Sequence, residues 1–212
     1  MEMSHSMGRE TSNLRLHLGC GTVYLEGFAN IDVWREGYSF LASERPDLVS
    51  RNKTTFLKYY RNEVTRNSIR EAQADPRFVV ADRFQDIKDL DYPEDSAELI
   101  VCVQTLEHLT REEVNQALKN WYKILKPQGI LHIDVPDFEE TARLLLAQNS
   151  ESDKEWYYRL IYGSQKDNFS LHKDGYSEAK LRAILGLHRF NKIRRLPDTR
   201  HFYPSIIMEC SK

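Results

Sequence analysis

The residues near the start of the chain whose types and spacing could do chemistry are two glycines and a carboxylate. Leu14, Leu16 and Leu18 alternate into a Gly19-Cys20-Gly21 turn, and a second short apolar segment ends on Asp32, thirteen residues after Gly19. At the carboxyl end of a parallel strand, glycines let the backbone bend tightly and approach a ligand that a Cβ would exclude. A carboxylate at the tip of the neighbouring strand can accept both hydroxyls of a ribose. A dinucleotide fingerprint has three glycines opening a helix and its acid roughly 20 residues on. Here Gly27 and Asp32 come too early for a full helix, so a ligand with one nucleoside and no phosphates fits better. A plain strand-turn-strand would carry the same residues, and the weight comes from the rest of the chain.

The 212 residues suffice for one substantial domain. A hydrophobic share of 41% with 29% charged residues is that of an ordinary globule. No apolar run approaches the roughly 20 residues that span a bilayer, so no membrane span is expected. Residues 1–12 read as a loose terminus without the apolar core of a secretory signal. Cys20, Cys102 and Cys210 form neither a disulfide framework nor a zinc spacing, so no metal is expected and the compartment is read as reducing and cytoplasmic. A net charge of −2 argues against a general nucleic-acid binder, and no DNA partner is expected.

The elements that must position the glycines and the acid follow in order. Residues 34–76 are longer than a crossover requires; Phe56, Tyr60 and Val64 recur every four residues and predict a helix from about Thr54 to Ala72. This inserted segment either covers the site or forms a surface excursion. Arg77–Ala81 is read as the third strand, and Leu99–Val103, apolar throughout, as a central parallel fourth. Thr110 and Glu113 form a capping box ahead of Val114, Ala117, Leu118, Trp121 and Leu125 at helical spacing, and Lys126–Gly129 stops that helix. Ile130–Val135 is the fifth strand. Two helical stretches follow, from Asp137 to Asn149 and from Glu151 to Tyr162, and then a loop from Gly163 to Tyr176, long enough to be functional. Ser177 opens a last helix before strands near Arg189–Leu196 and Ser205–Cys210. The fold class expected is α/β: a single doubly wound, Rossmann-like, seven-stranded sheet, mostly parallel, with an antiparallel last strand.

In this order the pattern resembles the class I S-adenosylmethionine-dependent methyltransferases, particularly the small branch common among sugar, polysaccharide and natural-product tailoring enzymes. The matching stretches are Leu16-His-Leu-Gly-Cys-Gly21, Gly27-Phe-Ala-Asn-Ile-Asp32, Asp86-Ile-Lys-Asp-Leu90, Gln104-Thr-Leu-Glu-His-Leu109, Ile124 to Asp137, and His172-Lys-Asp-Gly-Tyr-Ser177. The resemblance spans residues 14–211 as one domain. It implies S-adenosyl-L-methionine as cofactor, with the Gly19-Cys20-Gly21 turn against its methionine part. Asp32 would take the ribose hydroxyls and Val33 the adenine face. Asp86 would accept from the adenine amino group and Ile87 would present its backbone, with Asp82 the alternative if the third strand ends early. Gln104 would lie near the sulfonium. Glu98 and Gln128 depart from the pattern without touching the cofactor.

Methyl transfer to a neutral hydroxyl also needs a proton removed, which histidine can do near neutral pH. His108, after the fourth strand, and His172, in the long loop, are the two catalytic candidates. His108 could equally pack and cap the next helix. Tyr176 is a weaker candidate; His17, His132, Cys20 and Cys102 read as packed strand or turn residues. Arg182, Arg189, Lys192, Arg194, Arg195 and Arg200 either form a solvated face or converge on an acidic acceptor. The reading is methyl transfer to oxygen or nitrogen of a small polar acceptor, such as a sugar or glycan, with residues 150–178 on the acceptor side. Its rivals are an RNA or protein methyltransferase, and a non-catalytic S-adenosylmethionine-binding regulatory or scaffold protein. Aromatic residues in 34–60 could instead meet a second subunit, as in a homodimer.

Overall fold

The computed structural model of the chain describes residues 13–59, 78–197 and 203–212. The terminus before residue 13, the expected helix beyond Tyr59, Arg77 and Arg200 lie outside these residues. The strands are β1 Leu14–Leu18, β2 Tyr24–Leu25, β3 Ala29–Asp32, β4 Ser39–Leu41, β5 Lys53–Thr54, β6 Val79–Ala81, β7 Arg83–Phe84, β8 Ala97–Val103, β9 Leu125–Pro136, β10 Asn191–Arg195 and β11 Ser205–Ser211. The helices are α1 Pro46–Asn52, α2 Phe56–Tyr59, α3 Arg111–Ile124, α4 Phe138–Leu146, α5 Glu151–Tyr162 and α6 Glu178–Leu187.

Seven strands form the main sheet in the order β10-β11-β9-β8-β1-β3-β7. All run parallel except β11, which inserts between β9 and β10 and pairs antiparallel with both. The apolar run of β8 earns its central place, with β1 on one side and β9 on the other. One sheet face is covered by α3 and α6: Val114, Leu118, Trp121, Leu181 and Leu185 are buried against Leu16, Ile100, Leu131 and Met208. The Trp121 indole donates to the Ile87 carbonyl at 2.7 Å, so burying the ring leaves its N–H satisfied. On the other face, α2 lays Tyr59 edge-on against His17 and Phe56 edge-on against His132. Both strand histidines are thus packed residues, and all three cysteines are buried and free.

Two local expectations need correction. The third strand was expected at 77–81, but β6 pairs with β4 in a separate two-stranded sheet, and β7 makes the pairing with β3. Asp82, between them, turns its carboxylate inward to accept from the Asn30 amide at 2.8 Å and from the Tyr24 hydroxyl at 2.6 Å. Lys126–Gly129, expected only to stop a helix, lies within β9 as an irregularity: Ala97 pairs with Leu125, then Leu99 with Ile130. Gln128 there has a φ of +65°.

No helix links β1 to β3, although they are parallel neighbours. A buried Asn30 holds this short connection. Its side-chain NH₂ donates to the carbonyls of Leu25 and Phe28 at 3.0 and 3.1 Å, which turns Oδ1 to accept from the Leu25 amide and His17 Nδ1 at 2.8 and 2.9 Å. Every polar group of this amide is therefore used, as a buried amide requires.

Candidate active site

At the carboxyl ends of the parallel strands lies a cleft of about 510 Å³, lined by the glycine turn and Asp32 together with residues of α5 and the loop after it. Gly19 and Gly21 have φ of +63° and +53°, in the region where a side chain is strained. A Cβ on Gly19 would also lie 2.3 Å from the Thr105 side chain, so the turn and the residue after β8 are fitted together. Asp32, at the end of β3, lines the cleft while almost fully buried. Its two oxygens accept from the amides of Gly21 at 2.7 Å and Val33 at 2.8 Å. Burial raises its pKa, opposed by those amides and by Arg35 at 3.8 Å.

Of the nucleoside-side residues named from sequence, Gly19, Gly21, Asp32, Val33, Asp86, Ile87 and Gln104 all line this one cleft. Cys20 does not; its thiol is buried beside Val79 and Ala81 and points to the Val80 carbonyl at 3.6 Å, leaving only its backbone to the turn. Asp82 is likewise consumed by Asn30 and Tyr24, which leaves Asp86 as the cleft carboxylate. Asp86 caps the 3-10 turn Ile87–Asp89 and pairs with Lys88. Gln104 has a φ of +50°, and its side-chain amide donates to Asp134 at 2.9 Å.

Just beyond, the 3-10 turn Leu106–His108 meets the late loop. The amide of Lys173 donates to the Glu107 carbonyl at 2.8 Å, and His108 Nδ1 donates to the Leu171 carbonyl at 2.9 Å. His172 Nδ1 donates to the Leu160 carbonyl of α5 at 3.0 Å. The two imidazoles meet edge to face with centroids 4.8 Å apart, so the candidates 64 positions apart in sequence share one site. Burial lowers the pKa of both; His172, with His108 beside it, is pushed down to about 4. Burial, with Asp134 nearby, pushes Glu107 up to about 8.

Tyr176 is buried in the core under Lys180 and does not line the cleft. Of the C-terminal cations, Arg182, Arg194 and Arg195 do not line the cleft: Arg182 and Arg195 pair with Glu178, and Arg194 with Glu209. Among the described residues, the Lys and Arg side chains that line the cleft are Arg35, Arg159 and Lys173. In the described part of 34–76, Arg35 alone reaches the cleft lining, whereas α2 packs on the sheet face. Sequence reasoning missed Glu107, Thr105, Trp156 and Phe169. Glu107 had a signal in hindsight: an acid between Leu106 and His108, ahead of a capping box whose own acid is Glu113.

A profile of a family described as methyltransferase domain matches residues 48–133, 86 of the 212. No curated protein matches the chain significantly. Among solved structures, a Thermotoga maritima protein described as a SAM-dependent methyltransferase and possible histamine N-methyltransferase is similar at 12% identity, with 94% of this chain and 81% of that chain covered and a TM-score of 0.50. A Haloferax volcanii complex of the Trm112 methyltransferase activator with a candidate methyltransferase gives 13% identity, coverage of 94% and 82%, and a TM-score of 0.51. A candidate O-methyltransferase of Nostoc punctiforme gives 10%, 94%, 51% and 0.51. At such identities the likeness to these structures is one of fold. The partial domain match and the shared fold make the chain similar to methyltransferase domains, and the seven-stranded sheet with its reversed β11 and its glycine turn is consistent with that likeness.

Proposed function

We propose that the chain methylates oxygen or nitrogen of a small polar acceptor, and that the acceptor is a sugar or glycan unit. One observation carries this reading: the cleft that holds the glycine turn is also lined by two aromatic residues, Trp156 and Phe169, together with Arg159, Ser164, Asn168 and two imidazoles whose pKa burial lowers. Sugars offer C–H faces to aromatic rings and hydroxyls to polar side chains. The one cleft must also admit the cofactor, which favours an acceptor that is small or presents a narrow end.

S-adenosylmethionine, when bound, supplies a methyl group on a positive sulfur that leaves as a neutral thioether. The chain's own residues then align, exclude water and manage one proton. Asp32 uses one lone pair of each oxygen on backbone amides and keeps the others for the ribose hydroxyls. Asp86 accepts from the adenine amino group. The Ile87 carbonyl already serves Trp121, so the Ile87 amide is the backbone group assigned to the adenine ring. Gln104, fixed by Asp134, borders the methionine end. His108 and His172 hold the acceptor end and relieve the acceptor of its proton as the new bond forms.

The test is a methyl-transfer assay on sugar nucleotides, free sugars and glycans with wild type and His172→Asn. Turnover on one of these classes is expected to fall by about 10²-fold in the variant, the usual contribution of a positioned acid–base group, while S-adenosylhomocysteine binds unchanged. Turnover confined to RNA or protein acceptors would overturn the sugar assignment. Undiminished turnover in His172→Asn would remove that residue from the reaction.

A further inference from the structure

We propose that Glu107, His108 and His172 form a binding site for one divalent transition-metal ion at the acceptor end of the cleft. Glu107 is 2% exposed, and neither carboxylate oxygen has a hydrogen-bond partner. A buried carboxylate without partners is costly, and such groups are found paired or on cations. The Nε2 atoms of His108 and His172 each lie 4.0 Å from the same Glu107 Oε1. That is too far for a hydrogen bond.

The tautomers decide what occupies the gap. Each histidine has its Nδ1 on a backbone carbonyl, Leu171 O for His108 and Leu160 O for His172. A carbonyl only accepts, so both Nδ1 atoms carry the proton and both Nε2 atoms present a lone pair. Two imidazole lone pairs therefore face a buried carboxyl group that has no hydrogen-bond partner of its own. An Nδ1–H bound to a backbone carbonyl is also the usual outer-shell support of a metal-ligating histidine.

The dimensions agree. One atom from each residue lies within 4.8 Å of the others. The centre of a triangle with no side longer than 4.8 Å lies within about 2.8 Å of each corner, and modest side-chain rotation reaches the 2.0–2.2 Å of metal–nitrogen and metal–oxygen bonds. Two imidazoles and a carboxylate suit zinc, iron, cobalt or manganese, in contrast to the oxygen cages of magnesium and calcium. Three protein ligands leave coordination positions open, and all three residues line the cleft. The role of the ion rests on the methyltransferase reading: with the ion in place the Nε2 lone pairs bind it and no longer take the acceptor's proton, and the ion fixes an acceptor oxygen and eases loss of that proton to water. The site itself does not rest on that reading.

The full chain, free of any affinity tag, is titrated with Co²⁺ alone and followed by visible absorption, with S-adenosylhomocysteine binding measured separately. One equivalent is expected to bind with a ligand-field spectrum, and Glu107→Gln and His172→Asn are each expected to weaken binding at least tenfold while S-adenosylhomocysteine affinity is kept. Absence of saturable binding, or binding unchanged in both variants, would overturn the site. Should the variants fail to fold, wild type decides alone: one equivalent of Zn²⁺ must shift the imidazole resonances of two of the seven histidines, and an unchanged spectrum would overturn it. Loss of cofactor binding with metal binding retained would count against the methyltransferase reading and leave the site standing.

Discussion

His17 shows what a single position contributes. It sits in β1 with no exposure, donates to Asn30, and burial pushes its pKa down to about 4. Between pH 6.5 and 4 the unfolded chain binds a proton here that the folded chain refuses, so stability is complete above about pH 6.5 and falls as pH drops toward 4. At about 1.36 kcal/mol per unit, the difference is on the order of 3 kcal/mol. His17→Gln keeps a donor for Asn30 but does not titrate. Urea denaturation at pH 7 and pH 4.5 should show a loss smaller by about 2 kcal/mol in the variant; equal losses would place the acid dependence elsewhere. Residues of this kind were readable in the sequence because alternation with Leu16 and Leu18 marks His17 as a strand residue. Gly19, Gly21 and Asp32 were readable because turn and spacing are local. Thr105 was not, since its fit to Gly19 joins positions 86 apart, and Glu107 was not, since its isolation depends on a loop that arrives 65 residues later.

Among the elements, the helix-free link between β1 and β3 carries the most consequence for the site, because it holds the glycine turn and Asp32 at its two ends. Asn30 takes the place of the packing that a crossover helix would supply. Asn30→Ala leaves the Leu25 amide, the Phe28 carbonyl and His17 Nδ1 without their partner, and each such buried group costs about 1–3 kcal/mol. The variant should lose at least about 3 kcal/mol in urea unfolding, and it should lose cofactor affinity as the turn shifts; a loss under about 1 kcal/mol would mean that water replaces the amide. Helices announced themselves through their caps. Thr110 with Glu113, Asp137, Ser150 and Ser177 all accept from backbone amides at the helix starts expected. The split of the third strand into β6 and β7 was hidden because Asp82 reads as the end of an apolar run, and only its long-range bonds to Asn30 and Tyr24 show the chain passing through it.

For the whole molecule, the order of apolar segments and caps was enough to specify a seven-stranded sheet with β11 reversed, because each strand's pattern records whether it is buried on one face or two. The cleft was legible only in halves. The half that carries the glycine turn and Asp32 comes from contiguous turns, whereas its far half is assembled from the turn after β8, α5 and the loop 163–173, which meet only in three dimensions. No helix among the described residues is long and apolar enough to cross a membrane. The role proposed for the glycine turn and Asp32 is to hold S-adenosylmethionine. Calorimetric titration of wild type and Asp32→Ala with S-adenosylmethionine and S-adenosylhomocysteine tests it most directly. Micromolar binding in wild type, weakened at least about 100-fold in the variant by loss of about 3 kcal/mol of charge-assisted hydrogen bonds, is the predicted result. Well-folded wild type that binds neither compound, or a variant that binds both as tightly as wild type, would contradict it.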